Sequence, residues 1–307
     1  MAKSLRDLRR KMKAIKSTRQ VTKAMELVAA SKMRRAVQNA ETLRAYAQTA
    51  WNILQRIAGS QSAEHPFLAE RPVAKVLAIL FSSDRGFCGS LNAQMFGAAM
   101  KYIDGLKQIK TFEKVDFVVA GKKGQQFLVR AKQNVIAAFP ALSNHPAFPD
   151  VLPIARMATD GFLNGDYDHI VLLYPDFISA LRQEPCIRVL LPFSRTELRS
   201  MIDRLRLRKT AATEVEKEEE AVLEYTFEPS PEEVFRTILP KLTEMQVYQG
   251  VLEAAASEHS ARMLAMRNAT ENATEILDDL TLTYNQTRQA GITAELSELS
   301  AAAAALG

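Results

Sequence analysis

Residues 3–58 contain neither proline nor glycine, and steps of three and four from Leu5 trace an apolar seam through the whole stretch. Its positions are Leu5, Leu8, Met12, Ile15, Arg19, Thr22, Glu26, Ala29, Met33, Ala36, Ala40, Leu43, Ala47, Ala50, Leu54 and Ile57, thirteen of the sixteen apolar. Over about eight heptads, this spacing predicts one coiled-coil helix, roughly 80 Å long at 1.5 Å per residue. A bundle helix of ordinary length cannot supply it. Gly59 ends the helix, and Ser60 to Pro66 form a loop. A second seam runs from Leu242 to Ala294, weakened where Gln249, His259, Thr270, Thr287 and Gly291 interrupt it. Two helices of matched length predict one antiparallel pair. If they pair in register, the Ala-rich SELSAAAAALG end outruns any partner near Leu5 and needs burial elsewhere, in another subunit.

The net charge of +5 is a cancellation. Residues 1–50 carry thirteen basic side chains against three acidic ones, a net of +10, and residues 241–307 carry four against nine, a net of −5. Such asymmetry points to nucleic acid, a membrane surface or a charged partner, and it also lets the ends attract each other. Arg19, Thr22 and Glu26 interrupt the first seam, and Thr293 lies near the end of the second. They either set register or contact something other than the partner helix. Cys88 and Cys186 supply neither a disulfide framework nor a thiolate zinc site. No apolar run approaches the ~20 residues of a membrane-spanning helix, and the basic N-terminal stretch lacks the apolar core of a secretory signal.

Between the seams the period changes. Val76–Ser82, Val115–Ala120, Ile170–Tyr174 and Ile187–Leu191 read as buried strands, and Leu91–Ile109, Lys122–Lys132 and Val151–Asn164 as helices. The alternation predicts a small α/β domain with a largely parallel sheet. Gly121-Lys-Lys-Gly124 is the nearest approach to a phosphate loop and lacks the spacing. The four histidines are scattered, and neither cysteine has the local signature of a nucleophile. The loop Ser82–Asn92 after the first strand is either a strand-to-helix turn or a display of Arg85 for a partner's carboxylate, with Cys88 packed beneath. Residues 195–233 break the composition, Arg-rich then Glu-rich, and read as a solvated surface segment or a regulatory insert. Past a predicted edge strand, Ser230-Pro231-Glu232-Glu233 starts a helix that Pro240 is expected to kink or restart.

TRQVTKAMELVAASKMRRA (18–36), SSDRGFCGSLN (82–92), SEHSARMLAMRNATENATEIL (257–277) and LTYNQTRQAGITAEL (282–296) together resemble the gamma subunit of rotary F-type ATP synthases. With the patterning above, the expected fold is α/β: a long antiparallel coiled coil of the N- and C-terminal helices plus a small Rossmann-like α/β domain. The expected division is 1–58 and 231–307 for the helices and 67–230 for the globular domain, with a charged insert at about 195–224. The resemblance implies a central-stalk rotor subunit that couples ion-driven ring rotation to the conformational cycle of catalytic beta subunits. It implies no catalysis by this chain, no cofactor, no metal and no small-molecule substrate. The implied partners are the alpha and beta subunits of the catalytic hexamer, the epsilon subunit and the membrane c-ring. The implied location is peripheral, on the cytoplasmic face of the inner (plasma) membrane or its organellar equivalent.

Residue by residue, Arg288 and Gln289 match positions that grip a loop of beta, with Thr293 and Glu295 just beyond. Met25 matches the residue facing an acidic lever of beta, and Arg85 a loop residue near the same lever. Tyr225, Phe227 and Glu228 match the region that meets the ring. The insert lacks the cysteine pair of the redox-switched members. Physics alone leaves one alternative, a basic coiled-coil protein that binds nucleic acid. Against it, residues 1–45 hold no aromatic for stacking, and the seam is committed to pairing.

Overall fold

The computed structural model describes residues 5–58, 66–144, 146–193 and 231–306. Two helices frame the chain, α1 (Leu5–Ala58) and α5 (Pro231–Leu306). Between them come β1 (Lys75–Phe81), α2 (Leu91–Leu106), β2 (Lys114–Ala120), α3 (Lys122–Arg130), β3 (Asn134–Phe139), α4 (Phe148–Leu163), β4 (His169–Phe177) and β5 (Gln183–Leu191). The chain forms two compact units, Met1–Ala30 with Arg262–Gly307, and Ser31–Ala261.

In the first unit α1 and α5 pair antiparallel. The hydroxyls of Thr270 and Thr22 meet at 2.8 Å, and Arg9 donates to the Tyr284 hydroxyl at 2.9 and 2.6 Å, its guanidinium 5.4 Å from the ring centre. Both contacts give one register. The predicted seam is the one that packs: from Leu5 to Ala29 every seam position is buried or half-buried. Thr22, expected either to set register or to reach outward, pairs inside the seam. Ala294 departs from expectation and is exposed, because this register sets Leu5 opposite about residue 287 and leaves no described turn of α1 to cover it.

In the second unit the sheet runs β3-β2-β1-β4-β5, the first four strands parallel and β5 antiparallel to β4. β1 is buried on both faces beyond Lys75, as a central parallel strand requires. One face packs Val76, Ala78 and Leu80 against Met95, Ala99 and Ile103 of α2 and Leu128 of α3. The other packs Leu77, Ile79 and Phe81 against Ile154, Ala158 and Phe162 of α4 and Leu239, Val247 and Val251 of α5. Gly250 allows that approach: a Cβ there would lie 3.3 Å from Phe81 Cε2. Ala36 and Val37 of α1 pack on Ala255 and Ala256 of α5. On β2, Asp116 is 4% exposed and accepts from Lys114 (2.8 Å), Asn134 (2.7 Å) and Tyr167 (2.9 Å). Burial pushes its carboxyl up, but the three donors outweigh burial and hold it below the usual carboxylate range.

Several expectations need correction. β3 was not anticipated: Asn-Val-Ile-Ala-Ala-Phe is a half-buried edge strand whose small residues carry little strand signal. α4 begins at Phe148, ahead of the expected Val151, with a proline in its first turn. α5 passes Pro240 without a helical break. Proline removes the bond to the Arg236 carbonyl, yet Leu239 and Leu242 on either side are anchored in the core. The insert, the expected edge strand, Ser230 and Gly59 lie outside the described residues.

Candidate functional site

Two surfaces carry the residues singled out from sequence, one in each unit. In the first unit, α5 changes character beyond Thr287. Arg288, Gln289, Thr293 and Glu295 are all exposed, and the Thr293 hydroxyl donates to the Gln289 carbonyl at 2.9 Å. At 100° per residue, Arg288 and Glu295 lie on one line beside the seam, and Gln289 and Thr293 lie about a third of a turn around. Ile292, Leu296 and Leu299, 50 to 67% exposed, recur at i, i+4 and i+7 as an apolar stripe that α1 does not cover. Met25 is half-buried on α1 with Val21, Leu27 and Val28 exposed around it. By the pairing register it lies opposite about residue 267, some 30 Å along α5 from Arg288. Met25 and the Arg288 group therefore occupy separate places along the helix pair. The described ion pairs here, Arg10–Asp7, Lys23–Glu26 and Arg267–Glu271, each lie within one helix.

In the second unit, Arg85 sits in the loop between β1 and α2, at the edge of the sheet where the parallel strands end. It is exposed, and the loop below it is knit from within. Asn92 donates to the Ser83 hydroxyl (2.6 Å) and toward Cys88 Sγ (3.3 Å) and accepts from the Ser83 amide (3.2 Å), while the Ser83 hydroxyl donates to the Arg85 carbonyl (2.8 Å). Cys88 is buried, as expected.

The same loop occupies the N-terminus of α3, a kind of helix end that can otherwise bind an anion. The first three amides of α3 are bound by the chain itself: Lys122 N to Asp84 Oδ1 (3.1 Å), Lys123 N to the Ser83 carbonyl (3.0 Å) and Gly124 N to Ser82 Oγ (2.8 Å). Gly121 (φ 100°) makes the fit, since a Cβ there would stand 2.0 Å from the Ser82 carbonyl oxygen. Gly121-Lys-Lys-Gly124 is thus a docking cradle for the chain's own Ser-Ser-Asp. Sequence reasoning missed this because the partner segments are far apart in the chain. It also passed over Phe87, exposed in the same loop, for which an aromatic set between two turn glycines was the available signal. Tyr225, Phe227 and Glu228 lie outside the described residues.

A family model described as ATP synthase matches residues 4–306. The ATP synthase gamma chain of Roseiflexus castenholzii is 42% identical over 306 residues, covering 99% of this chain and 98% of that protein. The ATP synthase gamma chain of Brevibacillus brevis is 38% identical over 304 residues, covering 99% of both. Among solved structures, the OSCP/F1/c-ring part of the Euglena gracilis mitochondrial ATP synthase contains a chain of TM-score 0.62 and 21% identity, with 98% of this chain and 94% of that chain covered. The central stalk and c-ring of the Tetrahymena thermophila enzyme contains one of TM-score 0.55 and 25% identity, with 81% and 99% covered.

Proposed function

The chain belongs to the ATP synthase gamma-chain family, and from that premise we propose that it is the central-stalk rotor subunit of a proton-translocating ATP synthase. Whole-length identity to gamma chains carries this reading. The antiparallel α1–α5 pair, whose α5 continues into an exposed apolar stripe, supports it. The nucleic-acid alternative gains nothing from the comparisons, and the basic helix spends its seam on α5.

The chain acts by geometry and is itself non-catalytic. Turned by the c-ring, it presents a different side to each catalytic beta subunit in turn, and nucleotide chemistry stays on beta. Rotor contacts must break as readily as they form. Exposed Arg288, Gln289 and Arg85 suit that need, since solvent-screened ion pairs contribute only ~0–1 kcal/mol each. Met25 and Arg85 meet the acidic lever of beta, Arg288 and Gln289 hold a beta loop, and Thr293 and Glu295 extend that contact. The stripe of Ile292, Leu296 and Leu299 is covered by the alpha–beta hexamer. Tyr225, Phe227 and Glu228 face the c-ring beside epsilon.

The working division is a helix over 1–58, a globular domain over 67–230 and a helix over 231–307. No helix among the described residues is long and apolar enough to cross a membrane, in keeping with a peripheral subunit of a membrane-bound complex. We place it on the cytoplasmic face of the inner membrane. Co-purification tests the reading: the intact chain brings down an ATPase-active assembly, and deletion of residues 280–307 abolishes the coupled activity. Recovery of the chain without any ATPase overturns it.

A further inference from the structure

Three described non-glycine residues have a left-handed backbone: Phe87 (φ 63°), Lys132 (φ 55°) and Ala141 (φ 68°). Two have local reasons. Lys132 closes α3, its amide and that of Gln133 returning to the Val129 and Leu128 carbonyls, as helices commonly end. Ala141 turns the chain after β3 with the smallest of side chains, its carbonyl accepting from Asn144. Phe87 has neither reason. A bulky aromatic is a poor occupant of left-handed backbone, and at 69% exposure no core burial offsets the strain. The loop already uses glycine where it needs this conformation, at Gly89 (φ 58°).

Strain of this kind persists where the surroundings over-determine it, and it gathers at contact sites. The surroundings here do so. Asn92 ties Ser83 to Cys88 across the base of the loop, Ser83 holds the Arg85 carbonyl, and Asp84 is pinned to the start of α3. The chain between Ser83 and Cys88 is thereby fixed at both ends, with Phe87 directed outward. Arg85 and Lys122 are exposed at the same edge and make it basic.

We propose that Phe87 is an apolar anchor for a neighbouring subunit, docking beside Arg85 onto a segment that carries carboxylates next to an apolar face. The charge of the edge selects the carboxylates, and the aromatic selects the apolar face. Aromatic and arginine side chains together are the usual composition of an energetic contact centre. The inference rests on the rotor reading for the identity of the neighbour as a subunit of the complex.

The test compares Phe87→Gly and Phe87→Leu in the assembled complex in vesicles, reading ATP synthesis driven by an imposed proton gradient and the melting temperature of the purified assembly. Glycine removes the anchor and relieves the backbone. ATP synthesis is therefore expected to fall on the order of fivefold while the melting temperature holds or rises. Leucine, which keeps an apolar side chain, restores most of the synthesis. Wild-type synthesis with Phe87→Gly overturns the proposal. So does a loss of synthesis matched by a lowered melting temperature, which would make Phe87 a structural residue. Arg85→Ala is expected to lower synthesis as well, since it removes charge that selects the carboxylates, and an unimpaired Arg85→Ala beside an impaired Phe87→Gly overturns the acidic partner proposed here.

Discussion

Two stretches of α5 have nearly the same composition and opposite environments. Val251–Ser260 (VLEAAASEHS) is buried at every position, whereas Ile292–Ala302 (ITAELSELSAA) is exposed at every position. Helix propensity is similar in both, and both carry leucine, alanine and glutamate. The difference lies in what covers them. The first is enclosed by the sheet and by Ala36 and Val37 of α1, with Ser257 donating to the Pro175 carbonyl at 2.9 Å. The second has outrun α1. One helix is therefore a core element where its own chain surrounds it, and stays exposed where the chain supplies no cover.

Matched leucine truncations put this contrast to the test. Leu252 is fully buried, so Leu252→Ala is expected to cost about 2–5 kcal/mol, seen as a large drop in midpoint on chemical unfolding. A cost below about 0.5 kcal/mol would show that the enclosed stretch is not packed as described. Next in size is Asp116→Asn, expected at about 1.5–3 kcal/mol because a buried ion loses charge-assisted donors. Its pH dependence has a definite sign. The folded carboxyl is depressed, so its contribution is full above the unfolded value near 4 and is lost as pH falls through the folded value. Asp116→Asn should accordingly flatten the acid limb of the stability curve, and an unchanged acid limb would reassign it to other groups. The smallest stability effects belong to the exposed stretch. Leu299→Ala, Arg288→Ala and Gln289→Ala should each leave stability within about 0.5 kcal/mol yet lower ATP synthesis in the complex. If Leu299→Ala destabilised the chain as Leu252→Ala does, the contrast would fail.

The same contrast governs how much could be read from sequence. The α1 seam was legible to Leu43 because a 3/4 repeat without proline or glycine has one economical solution, and every position in it is buried or half-buried. β1 and β4 were legible as aliphatic runs. β3 was not, since an edge strand needs less hydrophobic content than a central one. The Ser82–Asp84 plug at the start of α3 was not, because it depends on segments that only the sheet order brings together. Pro240 does not restart the helix, because leucines on either side are held by tertiary packing. Among the proposed contact residues, Arg288, Gln289, Thr293 and Glu295 came from family resemblance. Their chemistry alone did not mark them, since an exposed polar residue on a helix looks the same whether or not a partner touches it.

A rotor subunit turns inside a stationary catalytic assembly, and that turning can be watched. Lys110 is exposed at the turn between α2 and β2, so a Lys110→Cys chain in a complex immobilised through its hexamer can carry an optical probe there. With ATP, the probe is expected to rotate in one direction, advancing by thirds of a turn. A probe that stays fixed while the same complexes hydrolyse ATP would contradict it.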